Sequence, residues 1–340
     1  MTGGRDRDAR RVGWARESLG RYFSRSTNTI ALFFLLAVAA VALLAEFLAS
    51  DKPIACHLDG RLYLFPNLVE YPALADQDNQ TIEVAIASRG GFAVLPPIPY
   101  GPNQVKVQGR VRWLEAPGAS HLLGTDGSGR DVLARIVHGA RSAGLVGVGS
   151  MILSALLGVL LGALAAYFGG LADKLVRVLI ESLTAFPAFF LILAIQGLLG
   201  VASPLQLMFV IAATRFSDVA QVTRAEVLRT VNEEYIDAAR ALGLPHAQIL
   251  FRHVLPGALG PVIVSATFGV ASAILIESTL SFLGYGVLPP TASWGQLLTD
   301  AFDNDGCYWL AIFPGLVLTA TVLCVNLVGE GLREAVDPGE

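Results

Sequence analysis

Hydrophobic positions in this chain are gathered into long runs. Residues 29–49, TIALFFLLAVAAVALLAEFLA, form the first, and five more lie near 142–168, 174–200, 204–228, 257–283 and 308–330. A run of about 20 apolar residues is long enough to cross a bilayer as a helix. The pattern therefore predicts an all-α polytopic membrane protein with six transmembrane helices. Polar sequence separates the runs: 1–28 before the first, 50–120 after it, an amphipathic lead-in at 121–141, a charged stretch within 231–256, and a tail at 333–340. Residues 142–332 thus form a five-helix transmembrane unit.

The 50–120 insert has a different period. Short alternating runs, RLYLF (61–65), TIEVAI (81–86) and QVKVQGRVRW (104–113), read as β-strands, and VLPPIPYGP (94–102) punctuates them. A small β-rich extracytoplasmic domain is expected.

Composition agrees with a membrane protein. The chain is 54% hydrophobic and 15% charged, against about 25% charged in soluble domains. The net charge of −4 says little, because charge is sorted by loop. Arg5, Arg7, Arg10, Arg11, Arg16, Arg21 and Arg25 precede the first run. The loops at 199–204 and 284–307 carry no Lys or Arg, whereas Lys174, Arg177, Arg224, Arg229, Arg240, Arg252 and Arg333 fall on the other side. This positive-inside pattern puts both termini and residues 233–256 in the cytoplasm. A cleaved signal peptide fits less well, since the polar N-terminal region and the apolar run are both too long. Cys56, Cys307 and Cys324 make no disulfide framework or metal-ligand spacing. Free thiols are expected, although Cys56 and Cys307 could pair if they share the outer face.

Two patterns inside the apolar region concern packing and chemistry. Ser150, Ser154, Gly158, Gly162, Ala166 and Gly170 recur every four residues, a stripe that lets a neighbouring backbone approach. Glu277 lies within the fifth run, where a carboxylate either serves a substrate path or meets other polar groups. A hydrogen bond to the turn after Leu283 is the expected role. Glu181 and Arg215 sit near span ends, placed to pair or snorkel.

The stretch EEYIDAARALGLPHAQILFRHVLPGALGP, from residue 233 onward, carries the most information. Glu233, Glu234 and Asp237 suit a helix start. Gly243 fits the left-handed position past a helix end, and Pro245 the first turn of a second helix, which should stop before Pro256. Ala238, Ala239 and Ala241 make the first helix thin, leaving room for a partner. An amphipathic loop lying on the membrane surface accounts for the same residues, so residue chemistry alone leaves both readings open.

The same stretch resembles the cytoplasmic loop of ATP-binding-cassette (ABC) importer permeases, whose pattern is Glu-Ala-Ala, three residues, Gly, nine residues, Ile-x-Leu-Pro. Here Asp237-Ala238-Ala239, Gly243 and His253-Val254-Leu255-Pro256 keep both spacings, with Asp for Glu and His for Ile. HLLGTDGSGRDVLARIVHGARSAG (121–144), RVLIESLTAFPAFFLIL (177–193) and ESTLSFLGYGVLPPTASWGQLL (277–298) resemble the second permease subunit of the dipeptide, oligopeptide and nickel branch. Parts of the insert, SDKPI, LYLFPNLVEYPA and LPPIPYGPNQV, look like the extended-insert type associated with microcin C and longer peptides, although the insert is shorter than usual for that type.

The resemblance implies the type I importer permease fold, a coupling helix that docks on an ATPase subunit, and a heterodimer with a second permease. It also implies two ATPase subunits, a periplasmic or lipoprotein solute-binding protein, and a peptide or peptide-like substrate crossing the inner membrane by alternating access. Its coupling residues would be Glu234, Asp237, Ala238, Ala239, Gly243, Pro245, His253 and Pro256.

Other chemistry finds little support. There is no Gly-Lys-Ser/Thr phosphate loop, so ATP hydrolysis is expected from separate chains, and the chain is not expected to be an enzyme. No cofactor, metal or nucleic-acid partner is expected, and GTDGSGRD (124–131) reads as an outer amphipathic segment with Asp126, Arg130 and Asp131 in local hydrogen bonds. A membrane scaffold or sensor that docks a cytoplasmic partner through 231–256 without transport is the alternative of another class. An intramembrane enzyme would lack a nucleophile and base.

Overall fold

The computed structural model describes residue 20 and residues 22–107, 110–111, 113–200 and 203–336. The first 19 residues, with five of the seven N-terminal arginines, and Arg21 lie outside the described residues, as do 337–340.

Helix α1 (Ser26–Leu43) is prolonged by one turn, α2 (Ala45–Leu48). The insert follows with β1 (Ala55–Leu58), β2 (Arg61–Leu64), α3 (Asn79–Arg89) and β3 (Phe92–Val94). The strands form an antiparallel sheet in the order β2-β1-β3. A two-residue hairpin, β4 (Lys106–Val107) with β5 (Arg110–Val111), replaces the longer strands expected at 104–113.

TIEVAI is helix, not strand. Asp78 caps α3 by accepting from the Thr81 N–H at 2.8 Å. Ile82, Ala85 and Ile86 then pack with Cys56 and Leu58 in one apolar cluster, at the spacing of one helix face. Val84, which a strand would have put beside Ile82 and Ile86, faces out. The insert is therefore a mixed α/β unit. Lys52 ties it together by donating to the carbonyls of Leu74, Ala75 and Gln77.

Helix α4 (Val132–Phe168) starts ten residues earlier than the apolar run suggests. Its 37 residues make it about 55 Å long, well beyond the ~30 Å hydrocarbon core. The extra turns hold the lead-in's polar residues inside a collar. Arg135 donates to Gln296 Oε1 at 2.7 Å, His138 Nε2 meets the Ala49 carbonyl at 2.8 Å, and Arg141 donates to the Ala42 carbonyl at 2.7 Å and pairs with Glu46 at 2.7 Å. Most of GTDGSGRD is buried in this collar, with Gly127 and Ser128 left exposed. Asp126 accepts from the N–H groups of Ser128 and Arg130 and from Arg130 Nε, while Asp131 caps α4 through the Ala134 N–H.

The third expected span is two helices, α5 (Gly170–Thr184) and α6 (Ala188–Leu199), meeting at 85°. Pro187 caps α6. Its ring and missing N–H bar a continuous helix there, and the residue before it is pushed out of the helical region. Helix α7 (Pro204–Val231) is capped by Ser203 and packs along α4. A Cβ on Gly158 would lie 2.8 Å from the Phe216 carbonyl oxygen, and one on Gly162 2.5 Å from that of Ala220. The small-residue stripe works as expected through Ala166; Gly170 lies beyond the end of α4, with open space around it. Arg215 is mid-helix in α7, paired with Asp218 at 3.2 Å, not at a span end.

After the 231–256 element come α10 (Leu255–Phe282), α11 (Trp294–Asp303) and α12 (Tyr308–Val336). Among the described residues, four helices are long and apolar enough to cross a membrane, five if the bent α5–α6 pair is one span; α7 is not among them. Arg25 pairs with Glu334 at 2.6 Å, so the start of α1 and the end of α12 lie at one end of the bundle. All three cysteines are free: Cys56 is buried in the insert, and Cys307 and Cys324 are partly buried.

Candidate functional site

The 231–256 element begins at Glu233, whose extended backbone stops α7 from running on. Helix α8 (Glu234–Ala241) follows. Its end is a Schellman closure. The Gly243 N–H bonds the Arg240 carbonyl at 2.9 Å, and the Leu244 N–H bonds the Ala239 carbonyl at 3.3 Å. Gly243 has φ +72°, a value glycine adopts at little cost. Leu244 packs in the same apolar cluster as Ala239, the contact this motif favours.

Pro245 sits one place before the next helix, α9 (His246–Ile249), as its cap. A π-helical turn at Leu250–Val254 then leads directly into α10. The expected stop before Pro256 does not occur: His246–Phe282 is one span of 37 residues. Pro256 occupies the first turn of α10, just past the π turn. The widened i→i+5 turn accommodates the missing N–H and the bulk of the ring that would break a regular helix. The two arms around Gly243 therefore differ. α8 is a separate eight-residue helix, whereas α9 is the end of a membrane helix.

One face of this element is sewn into the bundle. Ile236, Ala239, Ile249, Leu250 and Val254 are buried with Ala163 and Ala166 of α4, Val227 of α7 and Ala258 of α10. Tyr167 Oη and His246 Nδ1 lie 3.0 Å apart, and Tyr235 Oη donates to the His253 carbonyl at 3.4 Å. The other face is open. Glu234, Asp237, Ala238, Ala241, Gly243 and Pro245 are exposed, with Asp237 paired to Arg240 on its own helix at 3.1 Å. Ala239 faces the bundle, so of the three alanines only Ala238 and Ala241 can admit a partner. His253 is half-buried and its ring meets the Gln248 carbonyl at 3.3 Å.

Sequence reasoning missed the apolar part of the open face. Leu242 is 79% exposed and stands at the tip of the turn, with Tyr235 and Phe251 also exposed. A leucine between two helix formers and the glycine was the available signal. Partial burial, reinforced by Glu233, pushes the Tyr235 phenol above its ordinary value.

Glu277 is elsewhere. It lies 22 residues after the start of α10, about 33 Å along the axis. It is buried and accepts from Ser281 at 3.0 Å, Ser293 at 2.8 Å and Ser278 at 3.2 Å. Ser281 in turn accepts from the Val287 N–H at 3.0 Å, which fastens the turn beyond Leu283. Among the described residues, no group of three or more His, Cys, Asp or Glu side chains could hold a metal ion.

A bundle of long apolar helices, with a folded insert and a polar, two-armed element that leaves one face exposed, defines a polytopic membrane protein. Comparison with known proteins gives this class its family. The family described as the binding-protein-dependent transport system inner membrane component matches residues 158–340. The chain is 40% identical over 227 residues to the di/tripeptide transport system permease protein DppC of Pseudomonas aeruginosa, covering 66% of this chain and 75% of that one. A putative peptide transport system permease protein of Brucella suis is 40% identical over 251 residues, 72% of this chain and 82% of the relative. The oligopeptide transport system permease protein OppC of Haemophilus influenzae is 40% identical over 220 residues, covering 64% and 70%. The chain belongs to this family of permeases and is a multi-pass component of the inner membrane.

Proposed function

We propose that this chain is one of two membrane subunits of an ATP-driven importer for peptides or peptide-like solutes. The observation that carries this reading is the 233–256 element, whose inner face is fixed to α4, α7 and α10 and whose outer face is open. A push on α9 passes into α10 without an intervening loop, and a push on α8 reaches the bundle through the buried Ile236 and Ala239. In this reading two ATPase subunits bind that face, a second permease completes the path, and a binding protein delivers the solute. ATP-driven closure then switches the spans by rigid-body motion.

The peptide assignment follows the relatives' names and 40% identity. Six crossings, with the α5–α6 pair and α7 each counted as one and both termini cytoplasmic, fit the charge distribution and the Arg25–Glu334 pair. The division into first span, insert, lead-in and five-helix unit belongs to the same proposal.

Glu234, Asp237, Ala238, Gly243, Pro245, His253 and Pro256 keep their coupling role here. Ala239 supports the element from inside, Leu242 is added as the apolar contact, and Glu277 is a structural anchor. Replacing a hot-spot residue at the centre of an interface costs about 2 kcal/mol or more, roughly 30-fold in affinity, and a charge placed there adds a desolvation cost. Leu242→Glu is therefore expected to abolish co-purification of the ATPase subunits and peptide uptake while leaving the thermal stability of the chain unchanged. Retention of both would exclude the docking role. Absence of uptake by the unsubstituted complex, with its ATPase subunits bound, would favour a scaffold.

A further inference from the structure

We infer that the turn Phe65–Val69 of the insert is a membrane anchor that dips into the outer lipid interface beside the first span. The turn is hung on the outer end of that span by two contacts. Phe65 meets Phe47 edge to face with ring centroids 6.0 Å apart, and Asn67 Nδ2 donates to the Glu46 carbonyl at 2.8 Å. The turn is closed on itself, with the N–H groups of Leu68 and Val69 both on the Phe65 carbonyl at 2.9 Å. Phe65 itself sits in the left-handed region at φ 54°, a conformation costly for an aromatic residue. That backbone holds a display of apolar side chains: Phe65, Leu68 and Val69 are 47%, 55% and 51% exposed, and Leu64 on the edge strand is 51% exposed.

The occupant follows from continuity. Helix α1 is an apolar span whose last residue, Leu43, and the linking Leu44 are exposed, and α2 carries it to Leu48. The contacts to Glu46 and Phe47 put the turn at the level where that helix leaves the hydrocarbon. Apolar side chains at this depth, with an aromatic among them, match a lipid interface. The opposite side of the sheet is covered by α3, so the apolar display lies on the side away from the insert's own core. The insert thus rests on lipid beside α1, which fixes its height over the bundle.

The test is Leu68→Trp in the full chain, reconstituted in lipid nanodiscs and compared with the unsubstituted chain. The added emission should fall about twofold or more in nanodiscs of brominated phosphatidylcholine, most strongly with bromine near the headgroup end of the chain, as expected for shallow insertion. Val84→Trp, on the exposed side of α3, should instead be quenched by aqueous acrylamide and not by bromolipid. Leu68→Trp emission quenched by acrylamide alone would put the turn in water and overturn the proposal. Emission protected from both quenchers would mean that protein covers the turn, and would overturn it equally.

Discussion

At the residue scale, two positions show opposite uses of constraint. Gly243 has open space around it, so its requirement is conformational: φ +72° costs an L-residue about 1 kcal/mol. Gly243→Ala should therefore fray the α8 end without a clash, with the Leu244 amide losing about fivefold hydrogen-exchange protection. Unchanged protection would show that the Schellman closure is not what holds the turn. Glu277 is the reverse case, a carboxylate enclosed by three serine hydroxyls. Glu277→Ala strands those hydroxyls in the interior, at about 2–4 kcal/mol for the set. The expected result is a lowered melting temperature with transport per folded molecule retained. Transport lost at unchanged stability would put Glu277 on the substrate path.

At the element scale, the α4–α7 contact depends on glycine. A side chain on Gly162 meets the Ala220 carbonyl and Thr223, both on α7, whereas Gly144 on the same helix has nothing within 4 Å. Close backbone approach between membrane helices rests on such small residues. Gly162→Leu should destabilise the bundle by about 3 kcal/mol or more, seen as loss of the monodisperse species on size exclusion, while Gly144→Ala is near neutral. Equal tolerance at both positions would contradict the packing.

Elements also show where local pattern misleads. Ile82, Val84 and Ile86 alternate like a strand, yet Ile82, Ala85 and Ile86 mark a helix face equally well. Asp78 and Thr81 decide between them by capping. The proline at 256 looked like a stop because propensity ignores the π turn that absorbs it. Residues 132–141 read as lead-in and not as helix α4 because the partners of Arg135 and His138, Gln296 and the Ala49 carbonyl, are distant in sequence.

At the scale of the whole molecule, the start of α1 meets the end of α12. A Cβ on Gly331 would lie 2.8 Å from Asn28 Cγ, within reach of disulfide geometry. In a background with Cys307 and Cys324 changed to serine, Asn28→Cys with Gly331→Cys should cross-link on oxidation. Proteolysis between them should then leave fragments joined until reductant is added. Failure to cross-link would refute the shared end. The Arg25–Glu334 pair is too exposed to hold that end together by itself; the close contact of Gly331 with Asn28 and Tyr22 does more.

The amino-acid sequence by itself determined that this is a membrane protein, where most of its long helices run, and which polar loop interrupts them. Those properties follow from the cost of leaving backbone and charge unsolvated in lipid, which each segment meets alone. It also carried the spacing of the 237–256 motif, because a turn and its glycine are local. Tertiary structure decided the rest. It buried Ala239 and exposed Leu242, bent the third apolar run by 85°, extended α4 into the polar collar, and set the 65–69 turn against α2 at the end of α1. Each of these depends on contacts between residues far apart in the chain, and the apolar and polar pattern of one segment does not name its partner in another.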